Sequence, residues 1–232
     1  MSPVKITPLE YAAWRATTLG ATTECLERAA VLDLAGSLAG QDVLDVGCGD
    51  GAFTIAAAQA GARAIGVDPS PAAVEAARGA AAEAGLAATF YAGAAASLPF
   101  EGERFDTVLA VTMLCFAADP RTAVAGMGRV LRPGGVLVLG DLGRRSPWAA
   151  WRRARGWMGD PTWRRARFWS LADLQGLLQG AGLEPERWRA AAFYPPLGLA
   201  ARLMAPLDER LGRRTTLGAA FVAVTGRKRR PA

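Results

Sequence analysis

Three features of this chain predict an α/β fold that holds a nucleoside. Residues 43–51 read Val-Leu-Asp-Val-Gly-Cys-Gly-Asp-Gly, and an apolar, alanine-rich segment follows (Ala52, Phe53, Ile55, Ala56–Ala58). That pattern is a buried strand, a tight glycine turn and the start of a helix. The second feature is Ala64-Ile65-Gly66-Val67-Asp68, a short apolar strand ending in a carboxylate 17 residues beyond Gly51. A carboxylate at the tip of a second strand can accept hydrogen bonds from both hydroxyls of a ribose. The third is size: 232 residues, 51% of them hydrophobic, suit one α/β domain with an elaboration and a sizeable core.

Before the glycine loop, Pro8–Leu38 reads as helix. Tyr11 and Trp14 lie three residues apart within it, and Leu19-Gly20 follows; a buried aromatic pair accounts for them. In the loop itself, Gly47, Gly49 and Gly51 reach backbone angles barred to other residues and let a ligand approach the main chain. The helix start behind them offers free N–H groups. The spacing is Gly-x-Gly-x-Gly, not the Gly-x-Gly-x-x-Gly suited to a pyrophosphate. Asp45, two residues before the first glycine, would repel a pyrophosphate but suits a ligand bearing an ammonium and a sulfonium. About 40 residues precede the loop, whereas dinucleotide dehydrogenases often begin almost directly with the first strand. All three details favour S-adenosylmethionine over NAD.

On these residues the segment resembles motif I of the class I S-adenosylmethionine-dependent methyltransferases, the group containing the quinone-biosynthesis C-methyltransferases and many small-molecule enzymes. Further similarities follow in order. Asp68-Pro69-Ser70 resembles the ribose-binding end of strand two, and Gly93-Ala94-Ala95-Ala96-Ser97-Leu98-Pro99-Phe100 the end of strand three. Phe105-Asp106-Thr107-Val108-Leu109 resembles the start of strand four. Val130-Leu131-Arg132-Pro133-Gly134-Gly135 resembles the turn into strand five. The resemblance spans residues 43–140. It implies a Rossmann-like seven-stranded sheet whose last strand runs antiparallel. It also implies a single domain in three parts: an N-terminal helical cap (1–40), a cofactor-binding core (41–140), and a basic lid with closing strands (141–232).

By the same resemblance, Asp45, Gly47, Cys48 and Gly49 would hold the methionine end of S-adenosylmethionine. Asp68 would take the ribose hydroxyls. Pro69, Ala94, Ala95 and the Leu98 region would border the adenine, and Val111 would offer its carbonyl to the ammonium. Ala94 stands where the family often has an Asp on the adenine amino group; loss of one such bond costs roughly 0.5–1.5 kcal/mol. A Tyr-x-x-Trp followed by Leu-Gly often lies in a cap over the cofactor in related enzymes. That would make Tyr11 the candidate for the methionine end or the methyl-transfer site. From position in the chain alone, the acceptor is expected to enter between the N-terminal cap and the basic lid, near Tyr11, Trp14, Trp169 and Tyr194.

The net charge of +6 is unevenly spread. Residues 1–140 carry 9 Lys/Arg and 14 Asp/Glu, a net of −5, whereas residues 141–232 carry 18 and 7, a net of +11. The basic part is also rich in tryptophan, from Arg144 to Met158 and from Trp163 to Trp169. At 100° per residue, Ala150, Trp151, Ala154, Trp157 and Met158 share one half of a helix, and Arg152 and Arg153 point elsewhere. Pro147 is acceptable in its first turn. The segment reads as a lid with solvated arginines, as a pocket wall for an aromatic, apolar or anionic substrate, or as a membrane-surface contact. Nucleic acid is the weakest reading, because no RNA-binding module is recognisable. Strand four also leads into Val111-Thr112-Met113-Leu114, not the Asn/Asp-Pro-Pro-Tyr of adenine methyltransferases.

Ser170-Leu171-Ala172-Asp173 is a helix-start pattern, with that helix running to about Gly180–Gly182. Trp188–Tyr194 reads as a strand stopped by Pro195-Pro196. A helix over Leu197–Leu211 and a last strand over Ala219–Thr225 follow. The tail, Arg227–Ala232, is expected to be disordered.

No apolar run reaches the roughly 18 residues of a membrane span, and Met1–Thr7 lacks a signal pattern. A cytoplasmic protein is expected. Three cysteines, Cys25, Cys48 and Cys115, form neither a disulfide framework nor a metal site. With no histidine in the chain, the commonest general base is missing. Methyl transfer from a sulfonium tolerates this, since catalysis is largely alignment of nucleophile, methyl and sulfur.

The expected function is S-adenosylmethionine-dependent methyl transfer to a small apolar or aromatic acceptor. A lipid or quinone acceptor at a membrane surface and a non-catalytic S-adenosylmethionine-binding module are the alternatives. No residue is singled out as catalytic, and the acceptor atom and oligomeric state are not legible.

Overall fold

A computed structural model describes residues 8–230; the reading of Met1–Thr7 lies outside the described residues. Seven strands form one sheet: β1 (Asp42–Val46), β2 (Arg63–Asp68), β3 (Thr89–Ala92), β4 (Phe105–Val111), β5 (Leu131–Leu142), β6 (Leu183–Ala191) and β7 (Phe221–Lys228), in the order β3-β2-β1-β4-β5-β7-β6. The first five are parallel, and β7 runs antiparallel to both β5 and β6. The expected seven-stranded sheet with an antiparallel last strand is therefore observed. β1 lies between β2 and β4, so the strand order reverses beside it. Crevices at such a reversal, outside the carboxyl ends of the strands, are where open α/β sheets bind ligands.

The central strands are buried on both faces, and so read as continuous apolar runs. On one face α2 (Thr18–Ala35) and α3 (Ala52–Gln59) pack Val31, Leu34 and Ala57 against Val43, Leu109 and Val138. On the other, α5 (Pro120–Val130) and α8 (Leu171–Gly180) pack Val124, Met127, Leu174 and Leu178 against Leu44, Val108, Leu137 and Val224. Helix starts are written in cap–proline pairs: Ser70-Pro71 for α4 (Pro71–Glu83), Asp119-Pro120 for α5, Ser146-Pro147 for α6 (Pro147–Trp157) and Asp160-Pro161 for α7 (Pro161–Arg165). In each the cap side chain accepts a first-turn N–H, and proline occupies a position whose N–H would be free anyway. Ser170 and Asp173 close the expected capping box on α8.

Three boundaries differ from the sequence reading. The N-terminal helix is two helices, α1 (Pro8–Arg15) and α2, because the Thr17 side chain caps α2 through the Gly20 N–H at 3.0 Å. The turn needs Gly20, where a Cβ would sit 2.0 Å from the Trp14 carbonyl oxygen. Strand β6 runs over Leu183–Ala191, not Trp188–Tyr194, and ends before Ala192, whose φ is 61°. Its first half is a polar edge with a register shift between Pro185 and Trp188, which hides the strand pattern. Strand β7 continues past Thr225 into the tail expected to be disordered. Arg227 pairs with Glu186 at 2.6 Å, and Lys228 Nζ donates to the Leu131 carbonyl at 2.7 Å.

Between β6 and β7 lies α9 (Gly198–Gly212). Its buried Asp208 accepts N–H bonds from Ala192 (3.0 Å) and Phe193 (2.9 Å), fixing the turn after β6. Among the described residues no helix is long and apolar enough to cross a membrane.

Candidate active site

The glycine loop leaves β1 at Val46 and is tied to β2 by two hydrogen bonds. The Gly47 and Cys48 N–H groups donate to the Val67 carbonyl at 2.7 and 3.1 Å. Gly47, Gly49 and Gly51 have φ of 74°, 56° and 86°, the left-handed region glycine enters without strain. A Cβ at Gly47 would lie 2.6 Å from Met113 Cβ, and one at Gly51 3.0 Å from Ala77 Cβ, but at Gly49 it would meet nothing within 4 Å. Gly49 therefore faces open space, and no side chain caps α3 behind it. The loop fits a ligand that approaches the main chain.

Two carboxylates frame it. Asp68, at the end of β2, accepts the Gly49 N–H at 3.0 Å through one oxygen and the Ser70 N–H at 2.8 Å through the other. An ionised carboxylate offers about four acceptor positions, so two remain for a pair of ribose hydroxyls. Asp45 is buried under the loop and accepts the Thr54 hydroxyl at 2.7 Å. Burial pushes its carboxyl up to about 7, against the pull of the Thr54 bond. The Cys48 sulfur packs with Val74, Ala77, Ala81 and Phe90, and burial raises the thiol far above its usual range.

The other residues expected at the cofactor gather on adjacent strand ends. Gly93 N–H donates to the Asp68 carbonyl at 3.0 Å, bringing Ala94 and the short 3-10 turn Ala95–Ser97 beside Asp68 and Pro69. Val111 ends β4, and Thr112 after it has φ 51°. A β-branched residue there is strained, and such strain concentrates at functional sites. The Thr112 N–H is held by the Gly140 carbonyl at 2.7 Å, while Met113 leans on Gly47. The segment after β4 and the glycine loop thus touch.

The N-terminal cap is latched to the same loop. Arg15 of α1 forms an ion pair with Asp50, a second with Glu24 at 3.4 Å, and lies over the Tyr11 ring at 5.0 Å. Tyr11 and Trp14 stack with ring centroids 5.5 Å apart. Trp14 also packs against a cluster that holds Trp148, Ala201 and the fully buried Tyr194. The Tyr194 hydroxyl is 2.9 Å from Thr23 Oγ1, and burial pushes it up to about 12. Trp169 is not part of this group: it packs on the α5 and α8 face of the sheet. Three of the four aromatic residues expected around the acceptor are brought together.

The lid helix α6 is rotated from its expected setting. Trp148, Ala149, Arg152 and Gly156 face inward, whereas Trp157 is 86% and Met158 78% exposed. Close helix contact decides the rotation: a Cβ at Gly156 would lie 2.9 Å from the Arg164 nitrogen of α7. Arg152 is carried inward with Gly156 and sits with its guanidinium 4.7 Å from the ring centres of both Trp148 and Trp163. Across from it, burial pushes the Glu27 carboxyl of α2 up to about 8. Sequence reasoning missed Thr54, Arg15, Glu27 and Arg152. Only Arg152 left a signal, the Trp148, Ala149, Arg152, Gly156 spacing of one helix face.

Comparison with known proteins agrees with this geometry. A methyltransferase-domain family model matches residues 44–139. An uncharacterized protein of Mycobacterium tuberculosis is 34% identical over 93% of this chain and 70% of its own length. A ubiquinone biosynthesis O-methyltransferase of Azorhizobium caulinodans is 31% identical over 69% of this chain and 66% of its own. A solved methyltransferase of Thermotoga maritima, described as a possible histamine N-methyltransferase, superimposes with a TM-score of 0.72 at 25% identity, covering 95% of each chain. A glycine loop tied to a ribose-ready carboxylate, in this strand order and with these relatives, makes the chain a member of the S-adenosylmethionine-dependent methyltransferases, with S-adenosylmethionine as its cofactor.

Proposed function

We propose that this enzyme methylates a small apolar or aromatic acceptor held between the N-terminal cap and the lid. The observation that carries the reading is the Arg15–Asp50 latch, which fixes the stacked Tyr11 and Trp14 against the glycine loop. S-adenosylmethionine supplies an electrophilic methyl group on a sulfonium. Gly47, Cys48 and Gly49 present backbone to its methionine end, with Asp45 beneath them, and Val111 offers its carbonyl to the ammonium. Asp68 takes the ribose hydroxyls, and Pro69, Ala94 and Ala95 border the adenine. Tyr11 and Trp14 orient the acceptor and exclude water, so that most of the rate comes from alignment. We read the chain as one domain, cap (1–40), core (41–140) and lid with closing strands (141–232), working in the cytoplasm with three free thiols.

A screen of acceptors with purified protein, following S-adenosylhomocysteine, tests this. Turnover of small aromatic or apolar acceptors supports it. Binding of the cofactor without turnover across a broad panel would instead make the chain a non-catalytic binding module. A second reading, a lipid or quinone acceptor met at a membrane surface, is favoured by one observation. Leu199 (71% exposed) and Leu203 (68%) of α9 and Trp157 of α6 point outward among arginines. Co-sedimentation with vesicles separates the two.

A further inference from the structure

Arg152 is a buried cation whose pairing is incomplete. Its residue surface is 9% exposed. No carboxylate lies within ion-pair distance of it among the described residues, and its Nε is sealed from solvent with no hydrogen-bond partner. The two terminal nitrogens are not among the sealed atoms and keep accessible surface. Glu27, whose charge weighs most on Arg152, is likewise surrounded by protein while keeping accessible surface.

The charged and titratable groups around Arg152 come from four elements: Tyr11 on α1, Glu27 on α2, Cys115 after β4 and Asp141 on β5. Burial pushes the Tyr11 hydroxyl and the Cys115 thiol up, so both are neutral near pH 7. Burial also pushes Glu27 up to about 8, which leaves it mostly protonated. Asp141, pushed up to about 6, is ionised but committed to the Cys115 N–H at 3.0 Å and the Leu142 N–H at 2.7 Å. The buried guanidinium thus has no carboxylate within ion-pair reach among the described residues, and buried cations are rarely left so. Tyr11, one of the groups that Arg152 feels, lies under Arg15, which pairs with Asp50 of the glycine loop.

We propose that Arg152 is an acceptor-binding residue, and that the acceptor is a small aromatic compound bearing an anionic oxygen, a carboxylate or a phenolate, which pairs with the terminal guanidinium nitrogens. The inference rests on the methyltransferase reading above and names the acceptor class for that site. The two ring faces hold the guanidinium flat and aimed, and a planar fork suits a carboxylate or phenolate oxygen.

The test uses the whole protein loaded with S-adenosylhomocysteine, titrated with benzoate and with its neutral isostere benzamide. Benzoate is expected to bind about tenfold or more tightly than benzamide. Arg152→Gln should lose that preference, Arg152→Lys should keep part of it, and both variants should bind S-adenosylmethionine as the parent does. Equal binding of the two probes, benzoate affinity that survives Arg152→Gln, or no benzoate binding at tens of millimolar would each overturn the assignment. Should Arg152→Gln fail to fold, the benzoate and benzamide comparison on the unaltered protein decides alone. Failure of the wider methyltransferase reading is seen separately, as absent S-adenosylhomocysteine binding.

Discussion

Replacing Glu27 with Gln should make the protein more stable at alkaline pH and change little in acid. Burial raises the Glu27 carboxyl from 4.5 to about 8 in the fold, with Arg152 opposing the rise and Glu24, Asp141 and Asp208 adding to it. A raised folded pKa means that the protonated carboxyl favours the fold. Its contribution is fully present below the unfolded value, about 4.5, and is lost as pH rises through about 8. A tenfold change in proton affinity between the folded and unfolded chain corresponds to about 1.4 kcal/mol, so between pH 5 and pH 8 the parent loses about 3 kcal/mol through this one group. Glu27→Gln has no proton to lose. In a domain of this size about 1 kcal/mol moves Tm by 2–4 °C. The melting temperature of the variant minus that of the parent should therefore rise by about 6–12 °C from pH 5 to pH 8. Calorimetry or circular dichroism in matched buffers measures it. A difference that stays flat across that range would refute the buried, uncharged state of Glu27.

Other changes test other joints of the structure. Gly66→Ala would set a Cβ 2.6 Å from Phe90 Cδ1 and 2.9 Å from Cys48 Sγ, and urea denaturation should show a loss of about 1–3 kcal/mol. Thr54→Val leaves the buried Asp45 without its 2.7 Å bond, costing about 1–3 kcal/mol. Burial raises the folded Asp45 pKa to about 7, so its contribution to stability is lost as pH rises through that value; without the Thr54 bond, which holds the pKa down, the upper end of that loss should move to higher pH. Asp50→Asn weakens the latch to Arg15, and limited proteolysis should then cut near α1 faster while the remaining core stays protected.

The cofactor half of the site was legible because its constraints are local. Gly47, Gly49 and Gly51 answer to backbone angles, and Asp68 to its place at a strand end, and each can be read from a few neighbouring residues. The cap–proline pairs were legible for the same reason. Arg152 was not, because the rotation of α6 is set by contact with α7 at Gly156, and a count of apolar residues favoured the Trp157 and Met158 face that proved solvent-exposed. Glu27 and Thr54 looked like ordinary helix positions; only the sheet and lid closing over them made them buried acid and buried partner. The polar start of β6 was hidden because an edge strand carries charge where a central strand carries valine. Trp169 shared a sequence segment with the lid but folds onto the opposite face of the sheet.

The joint claim of glycine loop and carboxylate is tested most directly by isothermal titration with S-adenosylmethionine on the parent and on Asp68→Ala. The parent should bind, and the variant should lose about 1.5–3 kcal/mol, about 10- to 150-fold in affinity, from charge-assisted bonds to the ribose. No binding to the parent up to millimolar cofactor, or equal affinity in the variant, would contradict it.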